Sequence, residues 1–140
     1  MKGVTFGSYH SFDTWGLWLK EAPEISPPEP QTYLVEIPGM DGSLDLTEKL
    51  SGRVRYKDRE IKLTFLSLVK RTQWPDICSD MMEKLHGKSV RIVMDDDPGY
   101  YYLGRIAFDS VKQDNHVTIV VIKARVGPFK TSMDGKVKKL

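Results

Sequence analysis

The chain has 140 residues, 40% hydrophobic and 29% charged, with 21 Lys and Arg against 19 Asp and Glu. That length fits one domain able to bury its own core, and a net charge of +2 is too small to imply a nucleic-acid partner by itself. A single cysteine, Cys78, excludes an intramolecular disulfide, and no apolar run approaches the roughly 18 residues a membrane-spanning helix needs. The N-terminus passes from Val4 and Phe6 straight to Ser8, His10 and Ser11 without the apolar core of a signal peptide, so synthesis and folding in a cytoplasm are expected.

In chain order, residues 4–6 and 15–19 read as two short β segments around a Gly/Ser/Asp turn. Residues 22–31 hold four of the eight prolines (Pro23, Pro27, Pro28 and Pro30) beside Ile25. Proline lacks the N–H that a sheet interior requires, so this stretch is expected to be an extended arm or loop. Strand character resumes over 33–37 and ends at a corner, Pro38-Gly39 followed by Asp41-Gly42, before an alternating Leu44/Leu46 pair. Ile61, Leu63 and Phe65 alternate with Lys62, Thr64 and Leu66, the pattern of a strand with one apolar face.

One helix is predicted over 75–85. Pro75 suits its first turn, and Trp74, Ile77, Cys78, Met81 and Leu85 recur at three- and four-residue spacing as a single apolar stripe. Gly87 follows as the stop, with Lys84, His86 and Lys88 suited to the negative end of the helix dipole. Three strands then form a meander over 90–94, 100–108 and 117–126, turning at Asp97-Pro98-Gly99 and at Gln113-Asp114-Asn115. The positive excess collects at the end of the chain, where Lys130, Lys136, Lys138 and Lys139 face only Asp134. A domain over 1–129 with a flexible, Lys-rich tail over 130–140 is the expectation. The fold class is mainly β (α+β): a β-sandwich or a split, partly open barrel with one helix on the sheet.

Few constellations point to chemistry. Asp95, Asp96 and Asp97 could attract a hard cation, but the alternating ligands and distal Glu of a calcium loop are missing, and a solvated acidic turn is the favoured reading. His10, His86 and His116 share no zinc-ligand spacing, and Cys78 falls on the apolar stripe of the helix. Neither a Gly-x-Ser-x-Gly elbow nor a phosphate-binding Gly-rich loop occurs. Trp15, Trp18 and Trp74 with Tyr100, Tyr101 and Tyr102 could stack bases, but cross-strand and core packing is favoured. Basic residues are interleaved with aromatic ones only at Lys70-Arg71 near Trp74, and the near-neutral body lacks the charge such binding needs. No catalytic residue, cofactor or metal is therefore assigned.

Taken together, Tyr33, the Pro38-Gly39/Asp41-Gly42 corner, residues 56–61 (Tyr-Lys-Asp-Arg-Glu-Ile), Leu85-His86-Gly87-Lys88 and Asp97-Pro98-Gly99-Tyr100 form an ordered set. That set resembles the N-terminal domain of phage distal tail proteins over roughly residues 4–129. The resemblance implies a fold of tail-tube type and a non-enzymatic structural subunit of the virion tail tip. Its partners would be other copies of itself in a ring, hexameric in that family, together with the tail-tube, tape-measure and tip-hub proteins. DNA would only pass through the lumen, and no membrane is involved. Many such proteins carry a second, galectin-like domain, and nothing belonging to that domain is carried over to this chain. Pro23, Ile25, Pro27, Pro28 and Pro30 are the expected subunit-interface segment. Pro38, Gly39, Asp41, Gly42, Asp97, Pro98, Gly99 and Tyr100 are the expected structural turns. The alternative, from a different functional class, is a small β-barrel module that binds nucleic acid or protein.

Overall fold

The computed structural model describes residues 2–49, 51–114 and 116–140. The chain opens with β1 (Val4–Phe6), β2 (Tyr9–His10), α1 (Ser11–Trp15), β3 (Trp18–Leu19) and β4 (Glu24–Ile25). An excursion follows through β5 (Pro30–Gln31), β6 (Leu34–Val35), β7 (Leu44–Asp45) and β8 (Arg55–Tyr56). The body is completed by β9 (Arg59–Ser67), α2 (Trp74–Leu85), β10 (Ser89–Met94), β11 (Tyr100–Gln113), β12 (Thr118–Val126), β13 (Lys130–Ser132) and β14 (Lys138–Lys139). This is the mainly β fold that the alternation predicts, with one principal helix.

Among the described residues ten strands form a single antiparallel sheet in the order β2-β1-β10-β11-β12-β9-β3. β4 is added along β9, and β13 followed by β14 is added along β11. Sheet neighbours lie about 4.8 Å apart, so β1 and β9, four steps apart, would stand roughly 19 Å from each other if the sheet were flat. Instead the rings of Phe6 in β1 and Phe65 in β9 meet edge to face with centroids 6.1 Å apart. Leu19 in β3 donates its backbone N–H to the Lys2 carbonyl at 2.9 Å, linking the far edge of the sheet to the residues just before β1. The sheet is therefore curled nearly onto itself, as a partly open barrel. Its concave face carries the core: Ile61, Leu63 and Phe65 from β9, Val120 and Ile122 from β12, and Ile106 from β11, all fully buried.

Helix α2 closes this core with the predicted stripe. Trp74, Met81 and Leu85 are buried, and Ile77 and Cys78 are packed against the core while partly exposed. Burial pushes the Cys78 thiol pKa up, in keeping with a small core side chain. The Leu85-His86-Gly87-Lys88 run staples the end of α2 to β11. Gly87 adopts φ 76° and donates its N–H to the Ile106 carbonyl at 2.7 Å, while Ile106 donates to the Lys88 carbonyl at 2.9 Å. His86 Nδ1 accepts the Phe108 N–H at 3.1 Å, next to a register shift between Phe108 and Ser110. The strand irregularity thus supplies the donor that the imidazole takes up.

Gly104 marks the closest approach between central strands. A Cβ there would lie 2.4 Å from both the Arg125 carbonyl oxygen and Val126 Cγ1. Gly104→Ala is expected to cost about 1–3 kcal/mol or more, because the obstacle is backbone in the middle of the sheet and has no flexible end to give way. Thermal unfolding checks this, and an unchanged melting temperature would contradict the close packing of β11 on β12.

Three elements differ from expectation. Residues 11–15 are helical, where the sequence predicts a β segment starting at Trp15. His10 supplies the cap, its Nδ1 accepting from Phe12 N–H (3.3 Å) and Asp13 N–H (3.4 Å), and Gly16 at φ 70° ends the turn. Residues 130–140 do not form a free tail: β13 pairs with Tyr100 and Tyr101 of β11, and β14 pairs with β13. The Pro-rich stretch pairs in two short pieces, Glu24–Ile25 at the outer side of β9 and Pro30–Gln31 with β8, both edge positions that proline tolerates. Of the predicted 113–115 turn, Asn115 lies outside the described residues, and the Asp114 N–H donates to the Val117 carbonyl at 2.8 Å.

Candidate functional site

The Pro-rich stretch is the root of a longer structure. Ser26 fastens it to the barrel: its N–H donates to the Glu60 carbonyl at 3.0 Å, and its Oγ accepts the Glu60 N–H at 3.0 Å. From there β5 and β8 run as a two-stranded stem, with Pro30 opposite Tyr56 and Gln31 opposite Arg55. Lys57 N–H donates to the Glu29 carbonyl at 2.8 Å, and Tyr56 meets Phe129 edge to face with centroids 6.1 Å apart, holding the stem base to the body.

Beyond the stem, β6 and β7 form a second small sheet, Leu34 opposite Asp45 and Val35 opposite Leu44. The predicted corner is its tip. Gly39 (φ 83°) and Gly42 (φ 74°) both take left-handed backbone angles, and Met40 N–H donates to the Ile37 carbonyl at 3.1 Å. Below the tip, Leu46 N–H reaches the Tyr33 carbonyl at 2.8 Å, and the Tyr33 N–H reaches Thr47 Oγ1 at 3.2 Å. Asp45 accepts from both the N–H and the hydroxyl of Thr47, which holds its carboxyl pKa below the usual range.

Neither small sheet pairs with the ten-stranded sheet, and no described residue over 29–58 is buried. Yet Tyr33, Leu34, Ile37, Met40 and Leu44 are each between 39% and 57% exposed. An isolated two-stranded hairpin is marginal in water, and apolar side chains gathered on one projecting element mark an interaction surface. The residues predicted for the interface sit at the root. Pro23 and Pro28 are half-buried, Ile25 lies in β4 against Ile61 of β9, and Pro27 and Pro30 are exposed. The distal apolar residues were not anticipated as a surface, since Tyr33, Leu34 and Val35 have the same composition as a buried strand.

The second turn motif lies on a different element. Asp97 N–H donates to the Met94 carbonyl (3.0 Å) and Tyr100 N–H to the Asp97 carbonyl (3.3 Å), turning β10 into β11. The turn also holds the C-terminal hairpin, because the Gly99 carbonyl accepts from Met133 N–H at 3.1 Å and Lys130 Nζ lies 2.6 Å from Asp97 Oδ2. That hydrogen bond raises the Lys130 pKa. Lys130 and Lys139 both sit over the Tyr100 ring, at 4.8 and 5.3 Å from its centroid. The three consecutive aspartates point to three separate partners: Asp95 to His10 Nε2 and Gly3 N–H, Asp96 to Lys2, and Asp97 to Lys130. Among the described residues no group of three potential metal ligands converges. His86 and Cys78 serve packing as described above, and no helix of the described chain is long and apolar enough to cross a membrane.

The curled sheet with its principal helix has a counterpart among solved structures. The crystal structure of the SPP1 Dit protein (gp 19.1), titled a paradigm of the hub adsorption apparatus in phages infecting Gram-positive bacteria, superposes with a TM-score of 0.70 over 94% of this chain. The fold is Dit-like. Sequence identity is 16%, and this chain spans about half the length of that Dit protein, 52%. No protein-family model and no curated protein sequence matches the chain. At that identity the likeness establishes the Dit-like architecture, and what the arm does follows from its own residues.

Proposed function

We propose that this chain is a non-enzymatic structural subunit of a phage tail tip. Copies associate head to tail into a ring, six-membered by the family resemblance, that joins the tail tube to the tip hub. The lumen passes tape-measure protein and DNA, and the mature protein resides in the virion. The observation that carries this reading is the arm over residues 29–58, in which no described residue is buried and five described large apolar side chains are exposed. An arm fixed to the body at one end and reaching outward makes a heterologous contact, and a heterologous contact closes into a ring when its rotation allows. The Dit-like fold supports the setting, and the Pro-rich root (Pro23, Ile25, Pro27, Pro28 and Pro30) gives the arm a stiff base that loses little entropy on docking.

The reading is tested by light scattering on the purified chain across micromolar to hundred-micromolar concentration, with negative-stain imaging. A closed oligomer seen as rings is expected. A chain that stays monomeric throughout and retards an oligonucleotide in a gel would instead make it a small binding barrel.

A further inference from the structure

We infer that the C-terminal hairpin, β13 and β14, is the surface that receives the arm of a second copy of this chain. The inference rests on the ring reading above and names its missing half: the place where the arm lands. It is carried by charge and apolar complementarity between two exposed elements.

The distal arm over 33–48 contains Glu36, Asp41, Asp45 and Glu48 and neither lysine nor arginine, and it carries the exposed apolar side chains. The first cations, Lys49 and Arg53, follow on the way back to the stem. Any surface that covers it must offer apolar contact and cations together, since burying carboxylates without partners is costly. The C-terminal hairpin has that composition. Over 130–140 it carries four lysines against Asp134, and Met133, Val137 and Leu140 are 50%, 43% and 51% exposed.

Two of those lysines are already engaged on Tyr100 and Asp97, which fixes the hairpin to the body. Lys136 and Lys138 make no ion pair among the described residues and remain available to a partner. β14 is also an unpaired edge, since β13 is its only strand neighbour among the described residues. A strand edge flanked by lysines does not pair readily with another lysine-bearing edge, but it accepts an acidic strand.

The occupant is another copy rather than the chain's own arm. The arm base is held beside Phe129, immediately before the hairpin, by the edge-to-face contact of Tyr56 with Phe129. Among the described residues no hydrogen bond or ion pair joins residues 32–53 to residues 130–140. Two complementary surfaces of one chain that do not bond to each other can meet head to tail between copies.

The test is a charge swap read by light scattering. One variant carries Glu36→Lys and Asp41→Lys in the arm, the other Lys136→Glu and Lys138→Glu in the hairpin. Each variant alone places like charges across the junction and is expected to lose assembly, with its circular dichroism and melting curve unchanged. An equimolar mixture restores opposite charges at every junction and is expected to recover the wild-type mass. A Lys20→Glu, Lys112→Glu control reverses two exposed lysines on other elements and should assemble as wild type. If the hairpin variant assembles normally while wild type forms rings, the hairpin is not the receiving surface and the ring reading stands. Loss in both variants without recovery in the mixture also overturns the pairing. A monomeric wild type overturns the ring reading itself, and this inference with it.

Discussion

Replacing Leu85 with alanine is expected to destabilise the fold by about 2–5 kcal/mol, with the upper part of that range favoured. Leu85 is fully buried at the end of α2, on the stripe that also buries Trp74 and Met81. The cost of a large-to-small change depends on how far the surroundings can collapse into the space. Here the helix end next to Leu85 is tied to β11. His86 N–H bonds to the Met82 carbonyl, Gly87 N–H to the Ile106 carbonyl, and His86 Nδ1 takes the Phe108 N–H. The helix end therefore cannot sink toward the sheet without breaking bonds to β11. Leu68→Ala, at a leucine 62% exposed, should stay within about 0.5 kcal/mol of wild type. Urea titration of both variants gives the comparison. A Leu85→Ala midpoint equal to wild type would mean that α2 does not close the core.

The stripe of α2 was readable because burial on one face imposes three- and four-residue spacing, and β9 and β12 were readable because burial on one face imposes alternation. Where the structure departs from the sequence reading, the deciding contact joins residues that are distant in the chain or unusual for their role. Helix α1 has five residues, too few to show a period, and its cap is an imidazole rather than a hydroxyl or carboxylate. Trp15 and Trp18 favour strands by type, yet Trp15 ends a helix so that its Nε1–H can reach Asp80 Oδ2 at 3.0 Å. Residues 130–140 have the composition of a solvated tail, and only Tyr100, thirty positions earlier, provides the ring on which Lys130 and Lys139 rest. The arm shows both sides of this. Its prolines and its Gly39 and Gly42 corner announced a stiff segment and a sharp turn. Its extent over 29–58 did not show, because alternation reveals that one face is apolar without revealing whether anything covers that face.

If copies assemble into a ring as proposed, excising residues 32–54 and joining Gln31 to Arg55 through a short Gly/Ser link is expected to leave a cooperatively folded monomer that forms no ring. The join is geometrically undemanding, because Gln31 and Arg55 are directly paired across the stem. The stem and its anchors at Ser26 and Phe129 are kept. No described residue in the excised stretch is buried or paired with the ten-stranded sheet, so stability should change by no more than about 1 kcal/mol, chiefly through the shorter loop. Association should change far more. Fully burying a large apolar side chain is worth about 1.5–3 kcal/mol, so covering the exposed half of five such residues supplies on the order of 5 kcal/mol at each junction. A deletion placed at 24–30 would be a poorer test, because it removes the pairing of β4 with β9 and disturbs the sheet edge itself. Light scattering and a denaturant melt of the excised chain separate the two roles of this region. Rings formed by the excised chain would show that the arm is not the clasp and would move the junction to the exposed strand edges. A chain that fails to fold would show that the arm belongs to the core after all.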